Sequence, residues 1–357
     1  MEPSDEINAI RQEIDKLDDA LLEILNRRAG KVVQIGRLKE RVGGQCFDPA
    51  REKQVLDRLT TGNPGPLPQE AVRDIFAAIL AAHRLLEKQL IVAYYGPRGS
   101  FTHIAAKRKF GSADLRPADA IADVFNAVAK KEADLGVVPI ENTTAGVVPL
   151  TLDELMESKL KILVEIYVDI EHYLLTNCRS LAEVKRVYSH PSAIAQCRIW
   201  LRSNLPGVEV IAVGNTARAA ELAAGEPEAA AIAPALAGEL YSLPALASRI
   251  QDQPDNRTRF FVIGHQSAPP SGRDKTSLVF SLPHRAGSLH RALGALSNHQ
   301  INMTFIQSHP TKQTPWEYMF FVDVQGHAEE AQLARALSDL RECTLNLRVL
   351  GSYPEAD

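Results

Sequence analysis

Leu135-Gly136-Val137-Val138-Pro139-Ile140-Glu141-Asn142-Thr143-Thr144-Ala145-Gly146 carries the reading of the fold. Its first six residues form a short apolar, β-rich run and the next four are polar. An apolar strand thus delivers Glu141, Asn142, Thr143 and Thr144 together at its end, and strand ends of α/β sheets are where ligands bind. Working outward, IVAYYG at 91–96 and ILVEIYV at 162–168 are runs of the same kind separated by helical stretches. RVYSH, EVIAVG, AAAIAP and RFFVIG continue the texture, so 91–268 reads as one α/β region long enough for two lobes.

On the N-terminal side the pattern changes. Ile7, Ile10, Ile14, Leu17, Leu21 and Ile24 recur at the three-and-four spacing of an amphipathic helix, expected to run to about Arg41 and to stop at Gly43-Gly44. Asp48-Pro49 predicts a second helix start, and 69–90 a third helix after the breaker run TGNPGPLP. Beyond PPSG at 269–272, read as a linker, the order βαββαβ predicts a ferredoxin-like unit. The expectation is a three-domain chain: 1–90 all-α, 91–268 two-lobed α/β, 269–357 α+β.

Composition narrows the function. The 357 residues are 45% hydrophobic and 24% charged, which excludes a disordered or collagenous chain. Forty Lys and Arg against 44 Asp and Glu leave no bulk basic field for a nucleic-acid backbone, so any anion site must be local. Four widely spaced cysteines suggest neither a zinc site nor a disulfide framework and fit a reducing cytoplasm. The acidic start lacks an apolar segment of signal-peptide type, and no apolar run is long enough for a membrane span.

Arg28 and Lys31 interrupt the apolar seam of the long helix, where Leu or Ile would extend it at lower cost. Lys39 falls near the face of Arg28 about 16 Å further along the axis, close enough for two long side chains to share a small anion. Arg11 lies roughly 25 Å before Arg28 and would reach that anion only from an antiparallel second copy. Spacing alone also fits solvated, snorkelling helix charges. In the α/β region, GPRGSFT at 96–102 lacks the glycine spacing of a nucleotide loop. SHPSAIAQC at 189–197 offers Ser189 and Gln196 at a strand-to-helix junction, and Asn256-Arg257-Thr258-Arg259-Phe260 is a further polar cluster. Each alone also reads as caps and turns.

Taken in order, Arg11, Arg28, Lys39 and then Asp48-x-x-Arg51-Glu52 resemble the small all-helical chorismate mutases at the front of bifunctional bacterial P-proteins. The resemblance implies a helix shared across a dimer. Arg11 of the partner and Arg28 would bind the carboxylates of chorismate, Lys39 its ether oxygen and a carboxylate, and Glu52 its hydroxyl, with Asp48 and Arg51 organising the site. Where many members carry Ser and Gln on the third helix, this chain has His83 and Glu87. A Glu donates only when protonated, so the mutase step is expected to fall as the pH rises. The rearrangement to prephenate needs no nucleophile, metal or cofactor, since holding the substrate in reactive geometry supplies about 7–11 kcal/mol.

GPRGSFT, PIENT, SHPSAIAQC and TRF together resemble the prephenate dehydratase domain across nearly all of 91–265. That fold is two α/β lobes, similar to periplasmic binding proteins, with substrate in the cleft. The resemblance implies Thr258 on the leaving hydroxyl, Glu141, Asn142, Thr143, Ser189 and Gln196 positioning prephenate, and Arg259 near the cleft. The last unit resembles an ACT domain, a paired module that binds an amino acid between copies. Its phenylalanine-reading segments appear here as Gly287-Ser288-Leu289-His290 and Gln307-Ser308-His309-Pro310, altered from G-A-L-[VHL] and E-S-R-P. The whole resemblance implies a cytoplasmic homodimer or higher oligomer acting on chorismate and prephenate under phenylalanine feedback. A non-catalytic sensor of aromatic metabolites, or a dehydratase of arogenate, are the alternatives it leaves.

Overall fold

The computed structural model describes residues 3–42, 47–111, 113–310 and 318–356. Their contacts form two compact units, Met1–Asp48 with Val55–Leu90, and Pro49–Gln54 with Ile91–Asp357.

The first unit is helical. Helix α1 (Pro3–Val42) runs 40 residues, about 60 Å at 1.5 Å per residue. Asp5 and Glu6 lie in its first turn and Lys39 and Arg41 in its last, each matched to the helix dipole. Helix α2 (Pro49–Thr61) opens on the expected proline, and α3 (Gln69–Glu87) packs along α1. A Cβ at Gly36 would meet the Cα of Glu87 at 3.1 Å, so a glycine is what admits this approach. The apolar row from Ile7 to Ile24 stays exposed in the single chain, Leu17 by 68%. The expected stop at Gly43-Gly44 lies outside the described residues.

The second unit starts with β1 (Ile91–Tyr95), α4 (Phe101–Phe110), β2 (Asp114–Ala118), α5 (Ile121–Ala129), β3 (Leu135–Asn142) and β4 (Gly146–Val147). Helix α6 (Pro149–Glu157) and β5 (Lys161–Asp169) follow. The chain then builds a second lobe from β6 (Tyr173–Thr176), β7 (Arg186–Ser189), α7 (Pro191–Gln196), α8 (Arg198–Asn204), β8 (Glu209–Ala212) and α9 (Thr216–Gly225). Strand β9 (Ala229–Ala233), α10 (Ala235–Tyr241) and β10 (Ala245–Ala247) complete it, and β11 (Arg257–Gly264) returns to the first lobe. The first sheet has the order β2-β1-β3-β11-β5 with β4 beside β3, the second β10-β6-β9-β7-β8. Strand β11 runs antiparallel to both neighbours and is buried from Thr258 onward, which explains its near-continuous apolar sequence.

The remaining elements are β12 (Asp274–Ser281), α11 (Ser288–Asn298), β13 (Met303–Pro310), β14 (Tyr318–Gln325), α12 (Ala331–Cys343) and β15 (Asn346–Pro354). Their sheet order β13-β14-β12-β15 is that of a βαββαβ ferredoxin-like unit. This third sheet is not a bead on a linker. Val279, Phe321, Leu350 and Tyr353 share one core with Val138, Leu152, Leu155, Ile162, Phe261 and Ile263 of the first lobe. A Cβ at Gly351 would collide with the backbone of Ile162, so glycine lets β15 cross directly over β5.

Candidate active sites

The ends of β3 and β11 lie side by side, with Asn142 opposite Thr258 and Glu141 opposite Arg259. Asn142 organises the junction. Its Nδ2 donates toward Asn256 Oδ1 at 2.7 Å, Thr258 Oγ1 at 2.8 Å and the Arg257 carbonyl at 3.1 Å. Its Oδ1 accepts from the amides of Thr144 and Ala145 and from Thr144 Oγ1, so one side chain folds the ENTTAG turn back on itself. Thr143 Oγ1 accepts from the Arg257 amide at 3.0 Å. Because Thr258 Oγ1 accepts from Asn142, its own O–H is left to donate elsewhere. The Glu141 side chain shows no hydrogen bond or ion pair among the described residues.

Gln196, at the end of α7, crosses from the second lobe to the first. Its Nε2 donates to Thr144 Oγ1 at 3.2 Å and its Oε1 pairs with His172 Nε2 at 2.8 Å. With the amide nitrogen committed to Thr144, His172 is the donor in that pair, which assigns the Nε2–H tautomer. Burial lowers the His172 pKa against a smaller opposing effect of the Gln196 bond, so the ring is neutral and donates without adding charge. The edge of Phe101, from GPRGSFT, packs against His172 with centroids 5.5 Å apart. A cavity of about 560 Å³ adjoins Phe101 between α4 and α10, with Lys107, Arg108, Glu171, Tyr173 and Leu236 among its walls. Sequence reasoning missed His172. Its only signal is a polar residue within IEHYLL, the segment joining the two sheets.

Two expected dehydratase residues are placed differently. Ser189 is fully buried and donates to the Ile232 carbonyl at 2.6 Å. Its hydroxyl stitches β7 to β9 and is not available to a ligand. Arg259 is only 5% exposed and is turned to the face of β11 opposite Thr258, where it pairs with Glu165 and Asp323. Strand alternation forces this outcome, since neighbours on a strand face opposite ways.

In the helical unit, Lys39 Nζ lies 2.9 Å from Glu87 Oε2, and the Arg28 guanidinium contacts His83 Nδ1. Partial burial and the adjacent Arg28 lower the His83 pKa, so neutral His83 accepts from Arg28. The structure thereby forms two pairs across α1 and α3, Arg28 with His83 and Lys39 with Glu87. Arg11 remains exposed on α1. Asp48 groups with the first unit, whereas Arg51 and Glu52 group with the second, where Glu52 Oε2 lies 3.3 Å from Lys109 Nζ.

In the third sheet, Gly287 takes φ +78° and starts α11, a conformation glycine adopts without strain. Ser288 and Leu289 line a cavity of about 210 Å³ with Leu282, His284, Tyr318 and Phe320. His290, Gln307 and Ser308 do not line it. Gln307 donates to the Ser308 carbonyl, and His309 reaches Asp153 of α6 at 2.8 Å. Among the described residues, no three His, Cys, Asp or Glu are placed to hold a metal, and no helix is long and apolar enough to cross a membrane.

A two-lobed α/β body with a hydroxyl and amides converging at one strand end, together with a helical unit presenting paired cations, defines a chain with two separate centres for small anionic substrates. Family models match three successive spans: chorismate mutase type II 10–88, prephenate dehydratase 92–268 and the ACT domain 276–342. A bifunctional chorismate mutase/prephenate dehydratase of Aquifex aeolicus is 44% identical over 357 residues, 99% of each chain. The protein of the same description from Pseudomonas aeruginosa is 40% identical and matched over the full length of both chains. The solved structure of prephenate dehydratase in complex with L-Phe from Arthrobacter aurescens superposes with a TM-score of 0.70 at 35% identity, covering 75% of this chain and 91% of that one. The chain belongs to the bifunctional chorismate mutase/prephenate dehydratase family.

Proposed function

We propose that the chain converts chorismate to prephenate on the helical domain (1–90) and prephenate to phenylpyruvate in the two-lobed domain (91–268), with 269–357 as an ACT module responsive to phenylalanine. The observation that carries the dehydratase reading is the Asn142–Thr258 hydrogen bond, which leaves the Thr258 proton to the substrate. In the reaction the ring C–O bond breaks and the hydroxyl departs, with a proton, as water. The bond to the ring carboxylate breaks as CO2 leaves, and its electron pair completes the aromatic ring. A threonine is too weak an acid to transfer the proton unaided, so Thr258 polarises the leaving oxygen or relays a proton to it. Gln196 and Thr144 hold the two lobes together around that point.

On the helical domain, Arg28 and Lys39 grip the carboxylates, and Lys39 together with Glu87 faces the ether oxygen where negative charge develops. Such electrostatic groups contribute roughly 3 kcal/mol each. Arg11 completes the site from a second copy, and the exposed apolar row of α1 is the surface that copy covers. Ser288 and Leu289, in the cavity beside Tyr318 and Phe320, form the part of the effector segment suited to an apolar amino-acid side chain. Free Cys178, Cys197 and Cys343 suit a reducing, cytoplasmic setting.

The test follows chorismate, prephenate and phenylpyruvate together after mixing pure protein with chorismate, with and without phenylalanine. Phenylpyruvate forms, and Thr258→Ala stops it while chorismate consumption continues. Stalling at prephenate in the unmodified protein, with turnover of arogenate, makes arogenate the substrate. Chorismate and prephenate both left untouched make the chain a sensor. Equal loss of both activities in Thr258→Ala rules out separate centres.

A further inference from the structure

Strand β11 serves two faces. Thr258 points to Asn142, while Arg259 enters a buried cluster built from four other strands. Arg259 Nε donates to Glu165 Oε2 of β5 at 2.9 Å, Nη1 to Asp323 Oδ2 of β14 at 2.6 Å, and Nη2 to the Tyr353 hydroxyl of β15 at 3.0 Å. Lys275 of β12 donates to the other Glu165 oxygen at 2.9 Å. Ser277 donates to the second Asp323 oxygen at 2.5 Å and contacts the Tyr353 hydroxyl. Two cations thus meet two carboxylates, all under 10% exposed, and every charge has a partner as burial demands. Burial alone would lower the Arg259 pKa, and Tyr353, Asp323 and Glu165 more than offset it.

This cluster sits beside an irregularity in the sheet. The β3–β11 ladder slips between Arg259 and Phe260, so Ile140 has no partner opposite and regular pairing is interrupted one residue from Thr258. A bulge bends a strand and locally disrupts its ladder; pairing with β5 stays regular through Thr258 and Arg259, and the Arg259 side chain adds an anchor on the face away from the substrate. Glu165 lies in the same sheet and fixes Arg259 along it. Asp323 comes from the third sheet and fixes Arg259 perpendicular to it.

We propose that Asp323, an ACT-domain residue, is a positioning residue of the dehydratase centre, acting through Arg259 to hold Thr258 against Asn142. The inference rests on Thr258 being the hydroxyl that faces the leaving group. It makes the ACT module part of the dehydratase catalyst even with no effector bound.

The experiment measures both activities of full-length protein without phenylalanine, for Asp323→Asn, for the double variant Arg259→Met/Asp323→Leu, and for each combined with Thr258→Ala. The double variant leaves Glu165 with Lys275 and strands no charge, so it keeps the question open if Asp323→Asn fails to fold. Expected is a fall of about 10- to 100-fold in kcat for prephenate, with KM nearly unchanged and mutase activity intact. The double variant regains thermal stability but not kcat. In the Thr258→Ala background neither change lowers the residual rate further. Full dehydratase rate in Asp323→Asn, recovery of rate along with stability in the double variant, or losses that multiply with Thr258→Ala overturn the proposal. Full activity of Thr258→Ala alone overturns the reading of Thr258 instead, which keeps the two failures distinct.

Discussion

Exchanging Asn142 for Asp alters one group in the dehydratase centre and almost no volume. The retained Oδ1 still accepts from Thr144 and Ala145. The lost Nδ2 is the donor that faces Thr258 Oγ1, Asn256 Oδ1 and the Arg257 carbonyl. In Asn142→Asp a carboxylate oxygen meets those three acceptors, and only Thr258 has a proton to offer. Its hydroxyl therefore rotates to donate to the introduced carboxylate and turns away from the substrate. Loss of one oriented donor in a preorganised site costs about 10²–10³ in rate, some 3–4 kcal/mol. The two carbonyl-type acceptors left facing an anion cost about 1–3 kcal/mol of stability. The assay is phenylpyruvate formation from prephenate at saturating substrate, with thermal unfolding alongside. Expected are a kcat lowered by about two orders of magnitude, a modest KM change, and partial recovery toward acid pH as the new carboxyl regains a proton to donate. Wild-type kcat in Asn142→Asp would refute the claim that the Asn142 donor sets the direction of the Thr258 hydroxyl.

Three further outcomes follow from the other placements. Ser189→Ala should cost about 1–2 kcal/mol of stability by leaving the Ile232 carbonyl unpaired yet keep dehydratase kcat, as thermal unfolding and steady-state rates will show; a large kcat loss in a stable variant contradicts its structural role. The His83 pKa is depressed by partial burial and then by Arg28, so its contribution is present above the unfolded value of about 6.5 and is lost as pH falls through the folded pKa. Mutase KM for chorismate should rise over that acid range as imidazolium repels Arg28, and His83→Gln should flatten the rise. Glu87→Gln releases Lys39 from its 2.9 Å ion pair and puts an amide donor in place of a carboxylate, so mutase kcat should rise; an unchanged kcat removes Glu87 from the ether-oxygen site.

The broad architecture could be read from local pattern. Ile7 to Ile24 announce α1 by their spacing, Pro49 marks the start of α2, and LGVVPI marks a central strand, because each depends on residues close in sequence. The meeting of Asn142 with Thr258 spans 116 positions, and no propensity encodes it; only the co-occurrence of the PIENT and TRF motifs hinted at it. The Arg259 expectation failed for a reason that was visible: once 257–264 is a strand, Thr258 and Arg259 must face opposite sides. Its partners Glu165 and Asp323 were invisible, since they come from two other strands in two different sheets. Ser189 carried the correct motif, but whether a residue at a strand end faces cleft or core depends on which strand lies beside it. His172 is found only from its neighbours in space, Gln196 and Phe101.

The cluster around Arg259 also bears on how the protein is made. Tyr353 lies 94 residues beyond Arg259, an interval that takes a ribosome roughly 5–20 s to translate. Asp323 follows Arg259 by 64 residues and Tyr353 by 94, so Arg259 stays hydrated until these partners emerge, while the helices of the first 90 residues have long been available to fold. The helical segment therefore precedes the α/β body in synthesis, and the Arg259 cluster closes only once its last strand has arrived. A chain interrupted between Gly264 and Asp323 would carry every residue of the PIENT and TRF motifs and still lack the carboxylate that anchors them.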